Sequence, residues 1–109
     1  MGEYEQLPGE ELEYLQKTVK VLGKQWAIPI LVEIQQSPRE KAGFRELQNR
    51  LENISSKMLS ERLKEMVEHD LLKRKVRPNM TPIRVNYHLT ERGSETFQLL
   101  NGLIRNASG

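Results

Sequence analysis

Apolar residues recur along this chain at steps of three and four over most of its length and alternate strictly only once, near the C-terminal third. Steps of three and four put side chains on one face of an α-helix, whereas alternation puts them on one face of a strand. After Pro8-Gly9, the positions Leu12, Leu15, Val19 and Leu22 form a narrow seam of the coiled-coil kind and predict a helix from about Glu10 to Leu22, ended by Gly23. Trp26 to Ile34 is apolar on all sides and predicts a central helix, with Pro29 tolerable only in or near the first turn. Ser37-Pro38 closes it. Residues 39–42 read as a loop, and Phe44, Leu47 and Leu51 predict the first helix of a helix-turn-helix.

The next segment predicts a recognition helix at about residues 56–69. Leu59, Leu63, Met66 and Val67 share one face, and the other face carries Ser56, Lys57, Ser60 and Lys64, with Arg62 toward the flank. Ser55 is placed as N-cap, and Ile54 before it can staple onto Leu59. His69-Asp70 falls at the C-terminus, where the left-handed conformation usual for glycine predicts a positive φ at Asp70. Residues 72–77 and 83–89 then read as two strands, the second with Ile83, Val85, Tyr87 and Leu89 inward, joined at a Pro78 to Pro82 tip to make a wing over about 72–89. Thr90 caps a last helix, about 91–106, striped by Phe97, Leu100, Leu103 and Ile104. The predicted fold is mainly α with a small β-hairpin wing, a winged helix-turn-helix of the α+β class, filling residues 1–109 as a single domain.

Composition narrows the chemistry. A chain of 109 residues has room for one modest core, so apolar seams left uncovered predict a second copy as partner. Leu12, Leu15, Val19, Leu22, Phe97, Leu100 and Ile104, on helices 10–22 and 91–106, are the expected dimerisation residues. There is no cysteine and there are two histidines, which removes disulfides, thiolate metal sites and a histidine-built zinc centre. No metal site and no cofactor is expected. No long apolar run exists and the acidic start lacks a signal-peptide layout, so a cytoplasmic protein without membrane association is expected. Net charge is only +2, but its placement is uneven: residues 1–37 hold three Lys against six Glu, and residues 57–92 hold nine Lys and Arg against five Asp and Glu. Positive charge collected on helix and hairpin is what a polyanion-binding surface looks like, although a charge run alone is more often a solvated face.

The residue types favour binding over catalysis. Short hydroxyls and flexible cations suit base edges and phosphates in a major groove wide enough for one helix. The candidate DNA-binding residues are Ser55, Ser56, Lys57, Ser60, Arg62 and Lys64 on the helix, and Lys75, Arg77 and Arg84 on the wing. Neither His69 nor His88 has the Ser, Cys or carboxylate neighbours of a triad, so no catalytic residue is assigned. Trp26 reads as core packing, and Glu61, Glu65 and Glu68 read as solvated charges. The main alternative is a winged helix serving as a protein-protein adaptor, which would have no need of Lys73, Lys75, Arg77 and Arg84. A small enzyme would need a nucleophile or metal constellation that is absent from the pattern.

Taken in order, Trp26 with Ile30-Leu31, Phe44 with Glu46-Leu47, Ile54-Ser55 before Lys57-Met58-Leu59, Arg62-Leu63-Lys64, Leu71, Arg74, Pro82, Val85 and Tyr87-x-Leu-Thr-x-x-Gly93 resemble the HxlR-type branch of MarR-like winged-helix regulators. The resemblance covers about Val19 to Ile104. It implies a homodimeric bacterial or archaeal transcription regulator, and the two-fold symmetry of the dimer predicted from the apolar seams makes the expected partner double-stranded DNA carrying an inverted-repeat operator. A small-molecule effector of unspecified identity is a further candidate partner. The chain departs from the pattern at Pro38 to Gly43, which stands in for a short Arg-Phe entry, at Asp70 where glycine is usual, and in lacking the N-terminal sensor cysteine of some members.

Overall fold

The computed structural model describes residues 9–108, so the acidic start at Met1 to Pro8 lies outside the described residues. Among the described residues, five α-helices and three strands run in the order α1 (Gly9–Leu22), α2 (Ala27–Gln36), β1 (Lys41–Gly43), α3 (Phe44–Arg50), α4 (Ser56–Glu68), β2 (Leu72–Arg77), β3 (Arg84–Leu89) and α5 (Glu91–Ser108). This is the predicted winged helix-turn-helix, mainly helical with a small antiparallel sheet. No helix among the described residues is long and apolar enough to cross a membrane.

The all-round apolarity of α2 has its expected cause. Ala27, Ile30, Leu31 and Ile34 are fully buried, and Leu47, Leu59, Leu63, Met66, Leu71 and Leu72 close around them. Pro29 is the third residue of α2, where an amide would lack an intrahelical partner in any case. Trp26 precedes the helix at φ 77° and packs half-buried against the core. Met66, on the apolar face of the recognition helix, is wholly buried.

Two strand readings need correction. Residues 39–42 are not a plain loop: a single 3-10 turn over Pro38–Glu40 leads into β1, which pairs antiparallel with β3 through Lys41↔His88, Ala42↔Tyr87 and Gly43↔Asn86. The sheet order is β1-β3-β2, and Ala42 is buried beneath it. The inward alternation of β3 holds for Val85, Tyr87 and Leu89 but not for Ile83, which is 63% exposed. β3 begins at Arg84, so Ile83 belongs to the turn, where no pairing imposes a pleat.

The turn between α3 and α4 is built from local signals. Ile54 N–H donates to the Leu51 carbonyl (3.3 Å), with Asn53 at φ 73° in the third position of that turn, a place that favours Gly or Asn. α4 ends in a paired closure: Leu71 N–H reaches the Met66 carbonyl (2.9 Å) and Asp70 N–H the Val67 carbonyl (3.0 Å). Both bonds require a left-handed residue between them, and Asp70 supplies it at φ 58°. Thr90 caps α5 as predicted, accepting from Gly93 N–H at 2.9 Å.

The radius of gyration is 15.6 Å and the extents are 57 × 33 × 25 Å, against about 13 Å for a globular chain of this length. The excess comes with apolar surface that the molecule leaves uncovered: Leu12, Leu15 and Val19 on α1, and Leu99, Leu103 and Ile104 on α5, are exposed.

Candidate nucleic-acid interface

α4 is seated by its apolar face and aimed by its ends. Leu59, Leu63 and Met66 are fully buried, which leaves Ser56, Lys57, Ser60 and Lys64 exposed on the opposite side. At the N-terminus the Ser55 hydroxyl accepts from Met58 N–H at 3.0 Å, a cap that contributes about 1 kcal/mol. Gln48 of α3 donates through Nε2 to the Ser56 hydroxyl at 2.7 Å, tying the two helices of the motif together. Gln48 was not singled out in the sequence, because a lone exposed Gln carries no signal without the fold.

Arg62, one of the candidate DNA-binding residues, is engaged within the chain instead. Its residue is 8% exposed, Nε donates to the Gln25 carbonyl at 2.8 Å, Nη2 lies 2.8 Å from Met58 Sδ, and Nη1 is paired with Glu65. The guanidinium faces the turn between α1 and α2, away from the exposed row. Glu65 is likewise not a simple solvated charge, since it also pairs with Lys24. The hydrogen bond from Lys24, with help from Arg62 and against partial burial, holds the Glu65 carboxyl below its ordinary value.

At its C-terminus α4 meets α1 and α5. His69 Nε2 lies 2.7 Å from the Thr18 hydroxyl, which itself donates to the Tyr14 carbonyl at 2.9 Å. A hydroxyl has one proton, so the arrangement that satisfies both bonds has His69 Nε2–H donating to Thr18. The His69 ring stacks on Tyr14 with centroids 4.9 Å apart, and the Arg92 guanidinium lies 4.5 Å from the Tyr14 ring centroid while pairing with Asp70 at 3.8 Å. Burial, followed by Arg92 and Lys17 and opposed by Asp70, lowers the pKa of His69, in keeping with a neutral ring.

The hairpin brings the wing residues together. β2 and β3 pair through Lys75↔Asn86 and Arg77↔Arg84, so Lys75, Arg77 and Arg84 share one exposed face. Arg74, opposite Tyr87 on the other face, lines with Ser60, Lys64, Val67 and Glu68 a groove of about 310 Å³ between α4 and the sheet. A second groove of about 410 Å³ lies between the start of α3 and the start of β3, lined by Phe44, Arg45, Ile83 and Arg84 among others. The residues expected at a dimer contact divide: Leu22, Phe97 and Leu100 pack half-buried on the chain's own core, whereas Leu12, Leu15, Val19 and Ile104 are exposed.

Comparison with known proteins agrees with this fold. YodB, an HTH-type transcriptional regulator of Bacillus subtilis, is 36% identical over 80 residues, covering 73% of this chain and 68% of YodB. YvaP, another HTH-type transcriptional regulator of the same organism, is 33% identical over 90 residues, covering 83% of this chain and 80% of YvaP. The crystal structure of diamide-treated YodB superposes with a TM-score of 0.75 at 28% identity, covering 94% of each chain. A MarR-family regulator of Enterococcus faecalis shares the fold with a TM-score of 0.80 at 24% identity, covering 94% of this chain and 88% of that one. The profile of the HxlR-like helix-turn-helix family matches residues 21–108, and this chain therefore belongs to that family, whose members are DNA-binding transcriptional regulators and not enzymes.

Proposed function

We propose that this chain is a sequence-specific transcription regulator that acts in the cytoplasm as a homodimer, with α4 in a major groove and the β2–β3 wing on the neighbouring backbone or minor groove. The observation that carries the reading is the exposed row Ser56, Lys57, Ser60 and Lys64, held outward by the burial of Leu59, Leu63 and Met66. Phosphate contacts from Lys75, Arg77 and Arg84 would set the register, and base contacts from the row would supply preference. Selection from random oligonucleotides should return a defined site. On that site Lys57→Ala should cost about 1 to 3 kcal/mol and relax the preference at one base pair. Equal losses on selected and random DNA would make Lys57 a phosphate contact. No enrichment of any sequence would favour the protein-protein adaptor instead.

In this proposal residues 1–109 act as one DNA-binding domain flanked by dimerisation helices α1 and α5. The support is the exposed Leu12, Leu15 and Val19 of α1 together with the exposed Leu99 and Leu103 of α5, on a molecule more extended than its length requires. A two-fold axis would hold the two α4 helices about 34 Å apart, one turn of duplex, and demand an inverted repeat. Sedimentation at micromolar concentration should show a dimer, and a monomer with full affinity for one half-site would overturn this architecture. A structure of quinone-bound YodB is known, and by analogy a small-molecule effector is part of the proposal. With no cysteine in this chain, it would act without a thiol adduct.

A further inference from the structure

The two faces of the sheet are chemically opposite. Paired residues in an antiparallel ladder share a face, so the register places Leu72 with Leu89, Arg74 with Tyr87 and Ala42, and Val76 with Val85 on the inner side. The outer side reads Lys41, His88 and Lys73 across one row, Gly43, Asn86 and Lys75 across the next, and Arg84 with Arg77 at the hairpin end. None of its five cations is in an ion pair among the described residues. The nearby carboxylates are engaged elsewhere: Glu40 lies 3.5 Å from the Ser94 hydroxyl of α5, and Glu46 accepts from Gly43 N–H and pairs with Arg50.

Like charges directly opposite each other destabilise a ladder, yet Arg77 faces Arg84 and Lys73 shares a row with Lys41. Cations on β2 recur at every second residue, about 6.8 Å apart, so Lys73 to Arg77 spans roughly 14 Å. One small anion cannot neutralise such a run, but an extended polyanion can. His88 lies within this field: burial, then Lys75, Lys41, Arg77 and Lys73, press its pKa below the ordinary value.

We propose that the outer sheet face, through Lys41, Lys73 and His88 in continuity with the wing cations, holds the phosphate backbone of DNA flanking the half-site, outside the base pairs read by α4. This rests on the reading given under Proposed function. Backbone phosphates supply the negative charge that the face lacks, and each one neutralised releases condensed counterion. Phosphate beside His88 favours its protonated form, so affinity for flanked DNA rises as pH falls from neutral through the imidazole range.

The test compares two duplexes carrying the selected site, one ending at its last base pair and one extended by about ten base pairs on each side, a helical turn. The unmodified protein should bind the extended duplex with the steeper log-log salt slope. Lys41→Gln with Lys73→Gln should flatten that slope by about 1.8 on the extended duplex and leave the short one unchanged, and Lys73→Gln alone should remove about half of the effect. In an NMR titration the His88 ring should gain a higher pKa when the extended duplex is added. Equal slopes on both duplexes, unaffected by the double substitution, would overturn the proposal, while specific binding to the short duplex would leave the α4 reading standing. If selection yields no preferred site, the same pair of proteins is compared on long random duplex, where an unchanged slope overturns the proposal and a loss of about 1.8 supports it.

Discussion

Gly93→Ala is expected to destabilise the folded chain by about 3 kcal/mol, near the upper end of what overpacking usually costs. Gly93 is buried in the first turn of α5, and a Cβ there would collide with the Leu71 carbonyl oxygen while lying 3.1 Å from the Leu71 carbonyl carbon and 3.3 Å from Leu89 Cδ2. Leu71 cannot easily withdraw. Its carbonyl accepts from Thr90 N–H at 3.2 Å, and its own amide closes the end of α4. Urea unfolding followed by circular dichroism measures the loss. Gly102, on the same helix with nothing within 4 Å of its would-be Cβ, is the contrast: Gly102→Ala should gain about 0.5 to 1 kcal/mol. A loss below about 1 kcal/mol for Gly93→Ala would show that α5 slides away from the sheet.

Arg62→Ala should cost about 3 kcal/mol of stability and leave the salt slope of DNA binding unchanged. The substitution strands the Gln25 carbonyl, removes one of the two cations on Glu65 and opens space beside Met58. Arg62→Lys should recover little of the loss, because a single ammonium on a flexible stem does not reproduce a planar fork bonded in three directions. Unchanged stability with a slope lowered by about 0.9 would mean instead that Arg62 reaches a phosphate.

Features of this molecule that depend on near neighbours could be read from the residue order. Ser55 as cap, Asp70 in the left-handed region and Thr90 at the start of α5 each follow from a local shortage of hydrogen-bond partners at a helix end. Features that depend on distant partners could not. β1 has three residues and no alternation to betray it, and it is a strand only because β3 returns beside it. Lys24 and Glu65 meet across 41 positions of sequence, and Gln48 gains its role only when α3 lies against Ser56. Arg62 is a different case. It stands three residues after Leu59 and four before Met66, at the edge of the apolar stripe, where residue type alone does not separate a surface cation from a buried, partnered guanidinium. Of the interface, the residue types on α4 and the hairpin were visible, but which cations share a face required the strand register.

α4 is fastened at three heights to three different parts of the chain: Ser56 to α3, Arg62 to the carbonyl before Trp26, and His69 to Thr18 of α1. A rod pinned at its two ends and its middle can neither roll about its own axis nor slide along it without breaking at least one of these bonds. Control of such a reader by twisting the helix in place is mechanically disfavoured. In the proposed dimer, a signal arriving through α1 or α5 would have to swing the whole head as a solid piece, changing the spacing between the two heads while the face each would show to DNA stays the same.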